Sequence, residues 1–215
     1  MYKACIFDLD GTLIDSMPNF TNFVKAVLKD CGAEYNSEII KVLTPLGANG
    51  IVNYLKTQMN VEIITAQLLE KLHEVSLNAY RYEILAKNNV VEVLNALKAR
   101  GEKLSVLSAS PHLTIDPCLK RLKVFDLFSN VWSCEDFSTG KQDPNLYQMV
   151  AEKLGVKTEE VLFFDDNFNA ISTAKGVGMK TCGVYDESSK DFVDKMKEQN
   201  DYYIYDFKEI IEKNI

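Results

Sequence analysis

From Val90 to its last residues, the chain alternates short apolar runs with segments of helical periodicity. This alternation predicts a parallel β-sheet with helices on both faces, because each parallel strand needs a long crossover connection to the next. A further apolar run, 3–7, predicts a strand near the start of the chain. The later strands are predicted at 103–107, 130–133, 161–164, 179–184 and 202–205. The helices between them are predicted at 90–100, 118–122, 144–154, 168–175, 189–199 and 207–213.

The stretch from residue 16 to residue 82 has helical periodicity and no strand signal. Val24, Val27 and Leu28 recur at the spacing of one helix face. The stretch is too long for a simple crossover, so we expect a separate helical cap domain inserted after the first strand. Its later helices are predicted at 37–43, 50–59 and 65–80. The predicted division is a core of residues 1–15 and 83–215 and a cap of residues 16–82.

Composition excludes several classes of function. The 215 residues are 47% apolar, which indicates a packed globular protein, and the net charge of −7 argues against a nucleic-acid partner. No cluster of basic residues suggests a membrane surface, and no apolar run is long enough to span a bilayer. The five cysteines are widely spaced without a CxxC pair, which favours reduced thiols. Because the first strand begins without a leader-like segment, we expect a cytoplasmic protein.

Two carboxylates follow the first predicted strand, in the sequence Asp8-Leu9-Asp10-Gly11-Thr12. Ligands bind at the carboxyl ends of strands in open α/β sheets, so this position favours a site. Neighbouring carboxylates repel each other unless a cation compensates them, and Mg²⁺ is the natural candidate because it takes oxygen ligands. The alternative is a loop in which Asp8 caps and Asp10 turns the chain before Gly11.

Two other polar segments follow predicted strands or precede a helix. After the strand at 103–107, the hydroxyl of Ser108 and the backbone N–H groups that follow, including that of Ala109, could cradle an anion. The alternative is a helix N-cap, and for Ser110, which precedes a proline, that alternative is preferred. Lys141 precedes the helix signal Asp143-Pro144 and could reach a phosphate. Taken alone, it is better interpreted as a solvated surface lysine.

A second acidic pair, Asp165-Asp166, follows the apolar run 161–164. One acidic pair at a strand end is common in turns, whereas two pairs in one parallel sheet are harder to explain without a ligand. Asp8 and Asp10, together with Asp165 or Asp166, would form an oxygen cage for Mg²⁺.

Taken together, these segments resemble the four motifs of the haloacid dehalogenase superfamily of phosphotransferases. The first motif is Asp8-Leu9-Asp10-Gly11-Thr12, the second is Ser108, the third is Lys141 and the fourth is Asp165-Asp166. They occur in the family's order, and the resemblance covers nearly the whole chain. The chain departs from the family's usual sequence at two places. Gln142 stands where the family usually has proline, and Asn88-Asn89 stands where it usually has Pro-Gly.

The resemblance implies a fold and a role for each site residue. The expected fold is α/β, a Rossmann-like parallel-sheet core plus an inserted helical cap. Asp8 would attack phosphorus, and Asp10 would act as general acid and base. Mg²⁺ would be held by Asp8, Asp166 and the main-chain carbonyl of Asp10, and Asp165 would be either a further metal ligand or a residue that orients Lys141. The residues expected to bind the substrate phosphate are Thr12, Ser108, Ala109 and Lys141. At rest, Lys141 would pair with Asp8 and Asp165.

The resulting functional hypothesis is a Mg²⁺-dependent phosphatase that hydrolyses a small phosphorylated metabolite, a phosphomonoester, through an aspartyl-phosphate. The partner would be this metabolite, and the protein would be a monomer or a weak homodimer. One alternative is a sugar phosphomutase similar to β-phosphoglucomutase. Such relatives carry a histidine early in the first cap helix, where this chain has Asn19 and Phe20. A second alternative is a non-catalytic binding domain. Such a domain would be expected to lack at least one motif, whereas this chain has the expected residues at the catalytic positions of all four.

Overall fold

The structure, a computed structural model, describes residues 2–30, 32, 36–43, 47–61 and 65–215. It divides the chain into two compact units. One unit consists of Met1–Asp15 and Leu85–Ile215, and the other is Ser16–Ile84. None of the helices among the described residues combines the length and the apolar character needed to cross a bilayer.

All the regular secondary structure in the described part of Ser16–Ile84 is helical, as predicted. Its helices are α1 (Met17–Asp30), α2 (Ser37–Leu43), α3 (Gly47–Gln58) and α4 (Thr65–Asn78), and a π-helical turn follows at Ala79–Glu83. The predicted helix face of Val24, Val27 and Leu28 is buried against Leu43, Ile51 and Leu55. Helix α3 begins at Gly47, three residues before the predicted start, and the π-helical turn was not predicted.

The other unit contains a parallel sheet, and this confirms the predicted α/β class. Within the described residues it has six strands in the order β3-β2-β1-β4-β5-β6, and every neighbouring pair is parallel. Stacked rings of Phe7 and Phe164, with centroids 4.5 Å apart, join the two central strands. The strands are β1 (Ala4–Phe7), β2 (Leu104–Ser108), β3 (Asn130–Ser133), β4 (Val161–Asp165), β5 (Lys180–Val184) and β6 (Tyr202–Ile204).

Helices alternate with these strands. They are α5 (Val90–Ala99), α6 (His112–Arg121), α7 (Pro144–Leu154), α8 (Phe168–Gly176), α9 (Val193–Gln199) and α10 (Lys208–Glu212). Short 3₁₀ turns lie at Phe125–Leu127, Cys134–Phe137, Thr158–Glu160 and Glu187–Phe192. The single helix predicted at 189–199 is therefore a 3₁₀ turn followed by α9. Cys5, Cys118, Cys134 and Cys182 are free and buried, and Cys31 lies outside the described residues.

Helix α6 differs most from its prediction. It begins at His112 rather than near Cys118, and it contains Pro117 in its interior. A proline in a helix removes one backbone hydrogen bond, which is why the sequence suggested a later start. The helix tolerates this loss because its other face buries Thr114, Ile115, Cys118 and Leu119.

The two segments that lead into and out of the sheet-containing unit are paired with each other. The amide of Asp15 donates to the carbonyl of Leu85 at 2.9 Å, and that of Lys87 donates to Leu13 at 3.0 Å. An antiparallel bridge joins Ile14 to Ala86 between them. This pairing holds Lys87 beside Leu13, in the loop that follows β1.

Candidate active site

The site lies where the order of the strands reverses. From β1 the chain builds β2 and β3 on one side of the sheet, and β4, β5 and β6 on the other. In open α/β sheets, the carboxyl ends of the strands at such a switch point form a crevice. Asp8 follows β1, Ser108 ends β2 and Asp165 ends β4, so the three meet at this edge. The amide of Asp8 donates to the carbonyl of Phe164 at 2.9 Å, which fixes Asp8 against the end of β4.

The two predicted acidic pairs contribute to one cluster. Carboxylate oxygens of Asp8, Asp165 and Asp166 all lie within 4.8 Å of one another, and all three residues are buried. Burial, together with the neighbouring charges of Asp165 and Asp10, raises the pKa of Asp8 to about 7, although Lys141 opposes this shift. Burial and the charges of Asp165 and Asp8 also raise the pKa of Asp166 well above its usual value.

Lys141 belongs to the same cluster and is not a surface lysine. Its side chain is only 12% exposed, and its Nζ donates to Asp8 Oδ1 and, at 2.8 Å, to Asp165 Oδ2. This confirms the pairing expected from the resemblance. Burial works against the charge of Lys141, but the carboxylates of Asp165 and Asp8 outweigh it and raise its pKa well above the usual value.

The backbone around Lys141 is fixed from both sides. Asp143 caps α7 by accepting a hydrogen bond from the amide of Asn145 at 2.9 Å, and Pro144 is the first helical residue, as predicted. The hydroxyl of the buried Tyr147 lies 2.9 Å from the carbonyl oxygen of Lys141 and 3.0 Å from that of Ala170. Through Tyr147, these contacts hold the backbone of Lys141 close to α8, the helix that contains Ala170.

The loop after β1 packs tightly on Asp166. Gly11 has a φ of +82°, and a Cβ at this position would lie 2.6 Å from Asp166 Oδ2. Thr12, expected from the resemblance to bind substrate, is fully buried and bonds to Asp166 instead. Its Oγ1 donates to Asp166 Oδ1 and accepts from the Asp166 amide, both at 3.1 Å. The geometry therefore supports a positioning role for Thr12, and its contact with substrate stays a prediction.

The carboxylate of Asp10 has different neighbours from those of Asp8. The hydroxyl of Ser110 donates to Asp10 Oδ2 at 2.7 Å, and the Ser110 amide donates to Ser108 Oγ at 3.0 Å. The interpretation of Ser110 as the helix cap is wrong, because the N-cap residue of α6 is Pro111. Ser108 is fully buried, whereas Ala109 is exposed.

Two further charged residues at this edge were not predicted. Asp186 follows β5 and is buried, and its Oδ2 lies 2.8 Å from the Nζ of Lys87. Lys87 also donates to the carbonyl of Tyr185 at 2.7 Å. Asp186 follows an apolar strand just as Asp8 does, so the same sequence signal could have identified it. Lys87 had no such signal.

The acidic cluster suits a divalent cation. Within the part of the chain that the structure describes, the three carboxylates of the cluster bond to a single ammonium group, that of Lys141, so the fully ionised cluster has two more negative charges than bonded positive ones. Excess buried charge is costly, and the raised pKa values of Asp8 and Asp166 reflect that cost. A cluster that offers only oxygen ligands fits hard cations such as Mg²⁺ or Ca²⁺. The residues present therefore fit a metal centre with Asp8, Asp165 and Asp166 as its carboxylates.

Curated relatives with phosphatase names align with most of this chain. A phosphoglycolate phosphatase of Psychrobacter arcticus is 28% identical over 85% of this chain and 83% of its own length. A phosphorylated carbohydrates phosphatase of Thermotoga maritima is 25% identical over 83% of this chain and 82% of its own length.

Solved structures share the fold. The crystal structure of a predicted phosphoglycolate phosphatase from Haemophilus somnus superposes with a TM-score of 0.83 at 22% identity. The superposition covers 100% of this chain and 98% of the Haemophilus somnus chain. The model of the family described as haloacid dehalogenase-like hydrolase matches residues 5–184, a range that includes all four motifs. The chain is therefore a member of the haloacid dehalogenase-like hydrolase family.

Proposed function

We propose that this protein is a Mg²⁺-dependent phosphatase that hydrolyses a small phosphorylated metabolite through an aspartyl-phosphate at Asp8. The observation that carries the proposal is the surroundings of Asp8. Its buried carboxylate accepts a hydrogen bond from the Lys141 ammonium, and its oxygen lies within 4.8 Å of carboxylate oxygens of Asp165 and Asp166. The phosphatase names of the relatives support the reaction class.

In the first step, a carboxylate oxygen of Asp8 bonds to phosphorus while the bond from phosphorus to the ester oxygen breaks. Asp10 gives its proton to the departing alkoxide. In the second step, Asp10 takes a proton from water as the water oxygen attacks the aspartyl-phosphate. Inorganic phosphate leaves and the Asp8 carboxylate is restored.

The other site residues bind and orient the phosphoryl group. Lys141 neutralises negative charge on its oxygens as the transition state develops, and Ser108 and the Ala109 amide provide hydrogen bonds to them. Mg²⁺ bound by Asp8, Asp165, Asp166 and the Asp10 carbonyl would screen the Asp8 carboxylate from the anionic substrate. Thr12 acts indirectly, by orienting Asp166.

The remaining expectations belong to the same proposal. Residues 1–15 and 83–215 form the catalytic core, and residues 16–82 act as a cap domain that selects the leaving group. The protein works in the cytoplasm as a monomer or weak homodimer. Its partner is the phosphorylated metabolite rather than a nucleic acid or a membrane.

The test is release of inorganic phosphate from a panel of phosphomonoesters, with Mg²⁺ or with EDTA. We expect release that requires Mg²⁺ and is lost in Asp8→Asn. The matched control is Asp126→Asn, because Asp126 is an exposed aspartate in a 3₁₀ turn outside the site. Following sugar phosphates by NMR in the same samples detects a mutase, because a mutase isomerises them without releasing phosphate. Absence of phosphate release across the panel would contradict the proposal, and isomerisation in its place would favour the mutase.

A further inference from the structure

Ser110 contacts the proposed general acid and base directly. Its hydroxyl donates a hydrogen bond of 2.7 Å to Asp10 Oδ2, although the two residues are 100 positions apart in the chain. The four motifs do not include Ser110, and the N-cap residue of α6 is Pro111 rather than Ser110. The contact therefore needs another explanation.

The segment that carries Ser110 is held at both ends. On one side, the Ser110 amide donates to Ser108 Oγ at 3.0 Å, which ties the segment to the end of β2. On the other side, the carbonyl of Pro111 accepts hydrogen bonds from the Thr114 amide at 2.9 Å and from the Thr114 hydroxyl at 2.8 Å. The start of α6 is thus locked directly after Ser110.

His112, the first residue of α6, links this end of the helix to the end of β3 through Asp136. His112 Nδ1 lies 2.9 Å from Asp116 Oδ1, and His112 Nε2 lies 2.9 Å from Asp136 Oδ2. The same Asp136 oxygen accepts the amide of Ser133 at 3.0 Å, at the end of β3. Since Ser133 in β3 is in register with Ser108 in β2, the contacts of His112 and Asp136 connect the start of α6 to the strand ends beside the site.

We propose that Ser110 is a positioning residue that orients the Asp10 carboxylate for proton transfer, and this rests on the function proposed above. An aspartate side chain can rotate, whereas proton transfer to a leaving group requires a carboxylate oxygen within hydrogen-bond reach of it. A hydroxyl on a segment fixed at both ends restricts that rotation. Ser110 acts through Asp10.

The role predicts a defect that depends on the leaving group. Alkyl phosphates release a strongly basic alkoxide that needs the proton from Asp10, whereas p-nitrophenyl phosphate releases a weakly basic phenolate that does not. We expect Ser110→Ala to lower kcat/KM on an alkyl phosphomonoester by about 10- to 100-fold, and to leave kcat/KM on p-nitrophenyl phosphate within about threefold. The ratio kcat/KM reports the steps up to departure of the leaving group, so it excludes the hydrolysis of the aspartyl-phosphate that both substrates share. Ser110→Thr, which keeps the hydroxyl, should restore most of the alkyl phosphate activity.

Three further variants serve as a comparison, a substitute and a control in this test. Asp10→Asn should show the same leaving-group selectivity with a larger loss. Ser110→Cys removes the strong hydroxyl donor with little change in volume, so it replaces Ser110→Ala if that variant fails to fold. Ser129→Ala is the matched control, because Ser129 is exposed and directly precedes the amino end of β3, whereas the site lies at the carboxyl ends of the strands. It should behave as the wild type.

The outcomes separate this inference from the proposed function. Equal losses of kcat/KM on both substrates in Ser110→Ala, or no loss of kcat/KM on the alkyl phosphate, would overturn the positioning role while the wild type remained an active phosphatase. A wild type that hydrolyses neither substrate in Mg²⁺ would overturn the proposed function and this inference with it.

Discussion

Thr12 and Asp166 hold each other through two hydrogen bonds, although 154 positions separate them in the chain. The Asp166 amide donates to Thr12 Oγ1, and the same hydroxyl donates to Asp166 Oδ1, each at 3.1 Å. Both residues are buried. One hydroxyl therefore fixes both the backbone and the carboxylate of a proposed metal ligand, and this links the first motif to the fourth.

Thr12→Val tests this link, because valine keeps the shape of threonine and removes its hydroxyl. The Asp166 amide would lose its hydrogen-bond partner in a buried setting, so we expect the free energy of unfolding to fall by about 1–3 kcal/mol. The Asp166 carboxylate would also lose its orienting contact, so we expect metal affinity to fall by about tenfold or more. Urea denaturation and the Mg²⁺ dependence of activity measure the two effects.

Thr12→Ser is the matched variant for this test, since it keeps the hydroxyl and loses only a methyl group. It should retain Mg²⁺ affinity close to that of the wild type. If Thr12→Val bound Mg²⁺ as well as Thr12→Ser does, the positioning role of Thr12 would be wrong.

Gly11→Ala should damage the site more than it damages the fold. The φ of +82° at Gly11 disfavours any side chain, by about 1–2 kcal/mol. In addition, the new Cβ would lie 2.6 Å from Asp166 Oδ2, so Asp166 must move. We expect both a lower melting temperature and a loss of most Mg²⁺-dependent activity, measured by thermal unfolding and by phosphate release.

The chain contains a matched control for the backbone strain alone. Gly101 has a φ of +84°, and a Cβ there would meet nothing within 4 Å. Gly101→Ala should therefore lower the melting temperature and leave the activity intact. Equal activity losses in the two variants would show that strain, and not the contact with Asp166, explains the effect at Gly11.

The parts of the site that lie on strand ends were predictable from sequence. Buried strands appear as apolar runs, and polar residues at the ends of parallel strands meet at one edge of the sheet. Asp8, Ser108 and Asp165 were located in this way, because each position depends only on its own strand. The start of α7 was also predictable, since Asp143 and Pro144 form a local signal.

Contacts between distant segments were not predictable. The hydrogen bond from Ser110 to Asp10 depends on how two loops 100 positions apart approach each other, and the local pattern before Pro111 favoured a cap. Likewise, Lys141 is buried beside two carboxylates from distant segments, which compensate its charge, and no local pattern around it indicates those partners. The early start of α6 was missed because tertiary burial of residues such as Ile115 outweighed the local effect of Pro117.

The effect of Mg²⁺ on stability should depend on pH. The pKa of Asp8 is raised to about 7, so between about pH 4 and pH 7 the folded, metal-free protein binds more protons than the unfolded chain. Its stability should therefore fall as the pH rises through this window. Mg²⁺ needs the deprotonated carboxylates, so it should raise the melting temperature more at pH 8 than at pH 5.

Thermal unfolding with Mg²⁺ or EDTA at the two pH values measures this effect. Asp8→Asn should reduce the fall of stability in EDTA without abolishing it, because Asp166, whose pKa is also raised, remains. An equal shift by Mg²⁺ at pH 5 and pH 8 would contradict the assignment of the metal to this cluster.

The ion pair of Asp186 with Lys87 should contribute to stability above acidic pH. Burial favours the neutral form of Asp186, but Lys87 and the hydrogen bonds from Ser188 outweigh it and lower the pKa of Asp186. A lowered pKa gives a stabilisation that is complete above the unfolded value, near pH 4, and is lost as the pH falls through the folded value. Asp186→Asn should therefore lower the free energy of unfolding at pH 7 by about 2 kcal/mol, because it removes the carboxylate that compensates the charge of the Lys87 ammonium. Urea denaturation measures the loss, which should shrink below about pH 4.

The double variant Lys87→Met/Asp186→Asn separates the ion pair from simple loss of packing. It leaves no uncompensated charge, so it should recover part of the stability lost in Asp186→Asn. Asp126→Asn, at an exposed aspartate, should unfold like the wild type at both pH values. A loss in Asp186→Asn that was the same at pH 7 and below pH 4 would contradict the ion-pair explanation, because a packing defect does not depend on the protonation of Asp186.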